Sequence, residues 1–330
     1  MSPTLDRRRF GALTLGLLGG GIAARPTAAQ QQDWPNRPVT LVVPWAAGGS
    51  TDAVTRILAA RLTADLSRPF VVDNRTGANG TIGFASVARA RPDGSTFLVG
   101  TVSTYAMAPH LYQLPYDNDR AFTGVGLVAA MPIFMVVPRN SPYRTLAEFI
   151  AAAKQPNHRM VYANSGAGSS THLATELFLQ RAGVEMPDVG YRGGAPAIQG
   201  LLAGEAAMIF QAASAMIPLM QSGDVRALAV TTKERSPLAP EVPTIAESGF
   251  PDYEVVEHVA ILAPAGIPEA IVRRMNQASR AAMEAPETRE RLTALAVLPD
   301  VRPPEEWAAY NAAENTKWRE VIRTRNICVQ

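Results

Sequence analysis

Three short segments place small donor-rich residues where a strand would turn into a helix. The first is Pro44-Trp45-Ala46-Ala47-Gly48-Gly49-Ser50-Thr51-Asp52, the second Arg75-Thr76-Gly77-Ala78-Asn79-Gly80, and the third Asn164-Ser165-Gly166-Ala167-Gly168-Ser169-Ser170-Thr171. Glycines let backbone come close to a bound group, hydroxyls donate hydrogen bonds, and an acid such as Asp52 can cap the helix that follows. Free N–H groups and a partial positive charge at each helix start would suit an anion held without a formal counterion. Each turn alone is equally well explained as helix capping. Three at equivalent places favour a ligand.

Chemistry on that ligand finds little support. The chain has no Gly-x-Ser-x-Gly elbow, no Gly-x-x-x-x-Gly-Lys-Ser/Thr loop and no His-Glu-x-x-His helix. His172 and Glu176, one helical turn apart beside Ser169 and Ser170, could form a relay or ligate a metal, but no further His, Cys or acidic cluster is near in sequence, so His172 is expected to serve the helix start. The Gly77, Gly80 and Gly83 spacing is Gly-x-x-Gly-x-x-Gly rather than the dinucleotide fingerprint. Neither cofactor nor metal is expected. Trp45 is the aromatic placed at the ligand, Arg192 is a surface residue by default, and Trp307 and Trp318, on one face of the last helix, should pack on the sheet.

The elements that must position these turns alternate between β-branched runs and amphipathic stretches, the pattern of α/β layering with mostly parallel strands. Strands are expected at Val39–Trp45, Phe70–Asn74, Thr96–Thr101, Leu127–Pro138, Met160–Ala163, Asp188–Tyr191, Ala206–Phe210, Ala227–Thr231 and Glu254–Ala263. Helices are expected at Asp52–Leu66, Thr81–Ala90, Leu146–Lys154, Thr171–Ala182, Ala195–Ala203, Ser214–Ser222, Glu269–Glu284 and Pro304–Arg325. The long strands Leu127–Pro138 and Glu254–Ala263 each separate one set of βα units from the next. They divide the chain into a discontinuous lobe one, residues 34–130 plus 258–330, and a lobe two, residues 131–257. In an open α/β sheet the turns at the strand carboxyl ends then face a shared cleft.

Arg7, Arg8 and Arg9 precede an apolar stretch, Phe10 to Ala24, too short to cross a bilayer, and small residues Thr27-Ala28-Ala29 follow. Residues 1–29 therefore read as a signal peptide, by the twin-arginine or the general route, and the mature chain is expected in the periplasm. The full chain holds 31 Lys and Arg against 29 Asp and Glu; four arginines and one aspartate belong to residues 1–29, so 27 basic and 28 acidic side chains remain. A nearly neutral chain without a basic cluster excludes nucleic acid as the expected partner. The single cysteine, Cys328, cannot form an internal disulfide. With 47% hydrophobic residues the chain can bury two ordinary domains.

The three turns, with Val71-Val72-Asp73-Asn74, Arg91-Pro92-Asp93-Gly94, His172-Leu173, Tyr191-Arg192-Gly193-Gly194-Ala195-Pro196 and Val242-Pro243-Thr244-Ile245-Ala246-Glu247-Ser248-Gly249, occur in an order that resembles the Bug family of tripartite tricarboxylate transporter receptors. The resemblance runs from about Trp34 to the last helix. It implies a two-lobed periplasmic-binding-protein (Venus flytrap) α/β fold and a monomeric receptor. Such a receptor delivers a small carboxylate to a membrane transporter with one large and one small subunit. Carried onto this chain, the family's ligand contacts are Trp45, Ala47, Gly48, Ser50, Thr51 and Asp52, then Gly77, Ala78, Asn79 and Gly80, then Ser165, Gly168, Ser169 and Ser170. Gly200, Ala207 and Gln211 stand where the family usually carries acids. Gln211, expected after its strand and at the cleft, would then favour an acid lacking an amino group. A periplasmic ligand sensor shares every feature of the receptor reading, and an enzyme on the same fold is the remaining alternative.

Overall fold

The computed structural model describes residues 34–329; the signal segment expected at residues 1–29 lies outside them. The β-branched run Val39–Val43 forms β1, followed by α1 (Ser50–Leu66), β2 (Phe70–Asn74), α2 (Thr81–Ala88) and β3 (Thr96–Thr101). These strands pair in parallel in the order β2-β1-β3, with Val39 opposite Phe70 and Thr40 opposite Thr96. A π-helical turn, Ser103–Met107, leaves β3 and leads towards the long β4, Phe122–Pro138. The second set comprises α3 (Leu146–Ala153), β5 (Tyr162–Asn164), α4 (Ser170–Ala182), β6 (Asp188–Gly190), α5 (Gly194–Leu202), β7 (Met208–Ala212), α6 (Ala213–Gln221) and β8 (Val225–Val230). β9 (Val256–Pro264), α7 (Glu269–Glu284), α8 (Pro286–Ala294), β10 (Leu298–Pro299) and α9 (Pro304–Thr324) complete it.

β4 is buried from Gly124 to Val137, as a run apolar on both faces requires. Its amino-terminal half pairs antiparallel with β9 as far as Pro132 opposite Val256, and β9 in turn pairs with β3. From Ile133 onward β4 pairs instead with β7 and β8, and β7 continues in parallel to β5 and then β6. Pro132 sits at the change of partners, a place where a strand loses little by lacking an N–H. Fully buried Thr231 ties this crossing together: its hydroxyl donates towards Ile133 O (3.0 Å) and Val255 O (2.6 Å), and its own carbonyl accepts Val255 N–H. The result is the two-lobed mixed α/β architecture, with parallel strands in each half joined through antiparallel strands at the crossing.

Several boundaries differ from expectation for physical reasons. β4 begins at Phe122 rather than Leu127 because its pairing with β9 continues past two register shifts, which leave Val125 and Val128 unpaired, to Phe122 opposite Pro264. A Cβ at Gly124 would lie 2.1 Å from the Trp307 indole, so Trp307 does pack on the sheet, and Trp318 is fully buried. β7 runs past Phe210 because Gln211 and Ala212 pair with Phe134 and Ile133; Gln211 is inside the strand, not after it. Helix α8 and strand β10 were not expected. Pro286 ends α7 and opens α8 in a position where its missing N–H costs nothing. Among the described residues no helix is long and apolar enough to cross a membrane.

Candidate functional site

A cavity of about 330 Å³ lies where the amino ends of α1 and α4 meet the β4/β9 crossing. Its wall contains Trp45, Gly49, Ser50, Thr51, Asn79, Gly168, Ser169 and Ser170 from the three turns, together with Thr101, Ser103, Met131 and Glu257. No Lys or Arg is among them. A larger surface depression between α4 and α9, about 770 Å³, is lined by side chains such as Leu177, Ala312 and Val321, without converging helix ends.

The first turn is braced from behind. Gly48, at φ 86°, donates its N–H to Asp52 Oδ2 at 2.9 Å, and Asn74 Nδ2 donates to both Trp45 O (3.0 Å) and Asp52 Oδ1 (2.9 Å). Arg56 closes the group through Asp52 Oδ2 at 2.9 Å and Asn74 Oδ1 at 3.0 Å. Burial would raise the Asp52 pKa, yet the hydrogen bonds from Arg56, Gly48 and Asn74 outweigh it and hold the carboxyl below the usual aspartate range. Asp52, 2% exposed, is therefore fully engaged inside the protein. It shapes the turn and leaves Ser50 and Thr51 at the cavity.

The third turn has a different brace. Ser169 caps α4, its hydroxyl accepting His172 N–H at 3.2 Å. Gly168 donates its N–H to His172 Nδ1 at 3.0 Å. At Gly168 φ is 76°, a conformation that favours glycine, and a Cβ would also crowd the Val329 and Leu111 methyl groups, at 2.7 Å and 2.9 Å. Burial pushes the His172 pKa down, against the pull of Glu176 and Asp188, which keeps Nδ1 an acceptor. Glu176 is committed elsewhere: it accepts from Tyr162 Oη and from Arg325 Nε at 2.5 Å. His172 thus maintains the turn, as its position at the helix start implied, while Glu176 ties α4 to Tyr162 and Arg325.

The remaining sequence-derived candidates stand off the cavity wall. Ala47, Gly48, Gly77 and Ala78 are exposed, while Gly80 is buried beneath the second turn. Ser165 accepts from Gln211 Nε2 at 3.1 Å, and Gln211 Oε1 accepts Ala212 N–H at 2.9 Å. Gln211 thereby supports the third turn from within β7. At Gly200 a Cβ would come within 2.0 Å of Tyr191 Oη, so an acid there requires the half-buried Tyr191 ring to move.

Three polar wall residues, Thr101, Ser103 and Glu257, escaped the sequence reading. Thr101 ends β3 and Ser103 follows it, in a hydroxyl-rich turn, Thr101-Val102-Ser103-Thr104, that lacks the glycines used to recognise the others. Glu257 lies within the apolar strand β9, opposite Met131 beside the crossing. Its Oε1 accepts Ser103 Oγ–H at 2.8 Å and Ser103 N–H at 3.2 Å, whereas buried Oε2 has no partner among the described residues. Burial pushes its pKa up, against Ser103, Thr101 and Ser170 donors that favour the ionised form. A charged residue in a strand expected to be buried was the available signal.

Two lobes joined at crossing strands, with helix ends converging on an open cavity between them, define a solute-binding protein. Residues 54–327 match the family model described as tripartite tricarboxylate transporter family receptor, and the chain belongs to that family. It is 33% identical to Protein BugT of Bordetella pertussis over 92% of this chain and 93% of that protein. The solved structure "R. palustris Rpa4515 with adipate" is 36% identical with a TM-score of 0.77, covering 89% of this chain and 99% of that one. "MatC (Rpa3494) from Rhodopseudomonas palustris with bound malate" is 33% identical with a TM-score of 0.72, covering 88% and 100%.

Proposed function

We propose that this protein is a periplasmic receptor that captures a small carboxylate between its lobes and delivers it to a membrane transporter of one large and one small subunit. The observation that carries the reading is the convergence of two helix amino ends and several hydroxyls on a cavity with no Lys or Arg in its wall. Hydrogen-bond donors and oriented dipoles are what such a site offers an anion. The volume suits a small molecule. The adipate and malate named in the two relatives' structures point to the same ligand class.

In this reading residues 1–29 direct export, residues 34–130 with 258–330 form lobe one, and residues 131–257 form lobe two. Ser50 and Thr51 meet the carboxylate first, and Ser169 and Ser170 close over it about the crossing strands, creating the surface a membrane partner reads. A thermal-shift screen of the mature chain against mono-, di- and tricarboxylates, aromatic acids and amino acids tests the proposal. A ligand at 100 times its Kd should add ~2.7 kcal/mol of stability. A hit whose stabilisation falls to about half on Ser170→Ala establishes the site; the absence of any acid hit, even after unfolding and refolding to remove retained ligand, rejects it.

A further inference from the structure

The cavity contains one carboxyl side chain, and an anion receptor must reconcile it with its ligand. Glu257 is 9% exposed. Both donors of Ser103 are directed at Oε1, so the hydrogen-bonding capacity of the group is divided: Oε1 is satisfied, and Oε2 is shielded from solvent without a hydrogen-bond partner among the described residues. Were Glu257 ionised, a bound carboxylate would put two negative charges in one small chamber with no cation in its wall. Two acids sharing such a site retain a proton between them.

Among the described residues the other titratable groups around Glu257 are tied up: on α4, His172 lies behind the wall, its Nδ1 accepting Gly168 N–H at 3.0 Å. β3 and the turn after it present Thr101, Ser103 and Tyr105, β4 presents Met131, and α4 presents Ser170. From α9 come Tyr310 and, beyond it, Glu314, which is paired with Lys317. Tyr105 and Tyr310 are both pushed far above the ordinary tyrosine range, first by burial, and stay neutral. His258, the next residue of β9, is occupied by Asp300 at 3.0 Å and Tyr310 at 2.9 Å, and Asp300 is paired again with Arg302.

We propose that Glu257 reads the ligand as an un-ionised acid, its Oε2, shielded in this conformation, turning into the cavity as the lobes close and donating to a ligand carboxylate oxygen, so that each captured anion takes up one proton from solvent. The inference rests on the carboxylate-receptor reading and sharpens it. The preferred ligand is an acid without an ammonium group, because an ammonium would call for the ionised form of Glu257. The proton bound by Glu257 leaves the site with one net negative charge, shared among the helix ends and hydroxyls.

Titration calorimetry of the mature protein with adipate, malate and any acid returned by the screen, in buffers of differing ionisation heat from about pH 5.5 to about pH 8.5, tests this directly. The expected result is buffer-dependent heat corresponding to proton uptake, and an affinity that falls by up to about tenfold per pH unit above the free-site titration. Glu257→Gln, whose amide donates at every pH, should abolish both effects and bind more tightly than wild type at the alkaline end. Should that variant fail to fold, Ser103→Ala removes a donor that favours the ionised form and should move the fall in affinity to higher pH. Acid binding without proton uptake overturns the proposal and leaves the receptor reading standing, as does tighter binding of aspartate than of malate or succinate. No binding by any acid rejects the receptor reading, and this inference with it.

Discussion

The two helix ends that meet at the cavity present similar groups to it but are held by opposite chemistry. Behind Ser50 and Thr51 stands a charged trio, Asp52, Arg56 and Asn74, in which an ionised carboxylate accepts from a turn N–H. Behind Ser169 and Ser170 the corresponding acceptor is a neutral imidazole, His172 Nδ1, receiving Gly168 N–H. A carboxylate works as an acceptor as long as it stays ionised, and an imidazole only as long as it stays unprotonated. Lobe one therefore has the brace that tolerates acid, and lobe two the one that acid can release.

Breaking the charged brace should have the largest effect. Asp52→Ala leaves Gly48 N–H without its acceptor and Arg56 and Asn74 without their shared partner; loss of charge-assisted bonds in a buried place costs about 2 kcal/mol. A lowered urea midpoint and at least about tenfold weaker binding of adipate or another screened acid are expected. Wild-type affinity in a destabilised Asp52→Ala protein would show that the turn keeps its shape without the trio. Removing the presented groups instead of the brace separates binding from stability. Thr51→Ala and Ser170→Ala should each weaken binding about tenfold, with the urea midpoint nearly unmoved.

Acid sharpens the comparison without any substitution. The His172 pKa is lowered from 6.5 in the folded protein, so the unfolded chain binds the extra proton more readily. The stability contributed by keeping His172 neutral is complete above pH 6.5 and is lost as pH falls below it. For Asp52, also lowered, the corresponding loss begins only below its ordinary value of 3.8. Between pH 7 and pH 5, the Gly168 amide should lose hydrogen-exchange protection relative to Gly48, after correction for intrinsic rates. Equal changes at both amides would remove the distinction between the braces.

Much of this arrangement was legible because it depends on local chemistry. β2 and β3 match their expected limits, and the turns that deliver Ser50, Thr51, Asn79, Gly168, Ser169 and Ser170 to the cavity announce themselves by glycine and hydroxyl content. What stayed hidden depends on contacts distant in sequence. The engagement of Asp52 by Asn74, 22 residues away, removes it from the ligand wall although its position after the glycines suggested a place there. Glu257 meets Ser103 across 154 residues, and only the pairing of β3, β9 and β4 brings the two together. Turn residues could be read from spacing; a strand residue's partner requires the register.

Gln211 offers the smallest and most discriminating change. Its position invited a role in choosing the ligand, yet its side chain is spent on Ser165 Oγ and Ala212 N–H and the cavity wall does not include it. Gln211→Glu can keep both contacts, since a carboxylate accepts from Ala212 N–H and the Ser165 hydroxyl can turn to donate. The new charge would sit behind the third turn rather than on the ligand, so acid binding should fall by no more than about threefold. The same substitution should confer no new affinity for amino acids, because their ammonium group would not reach it. A much larger loss, or a gain for aspartate over malate, would mean that the occupied cavity extends past Ser165 to β7, and lobe two would then contribute specificity as well as a lid.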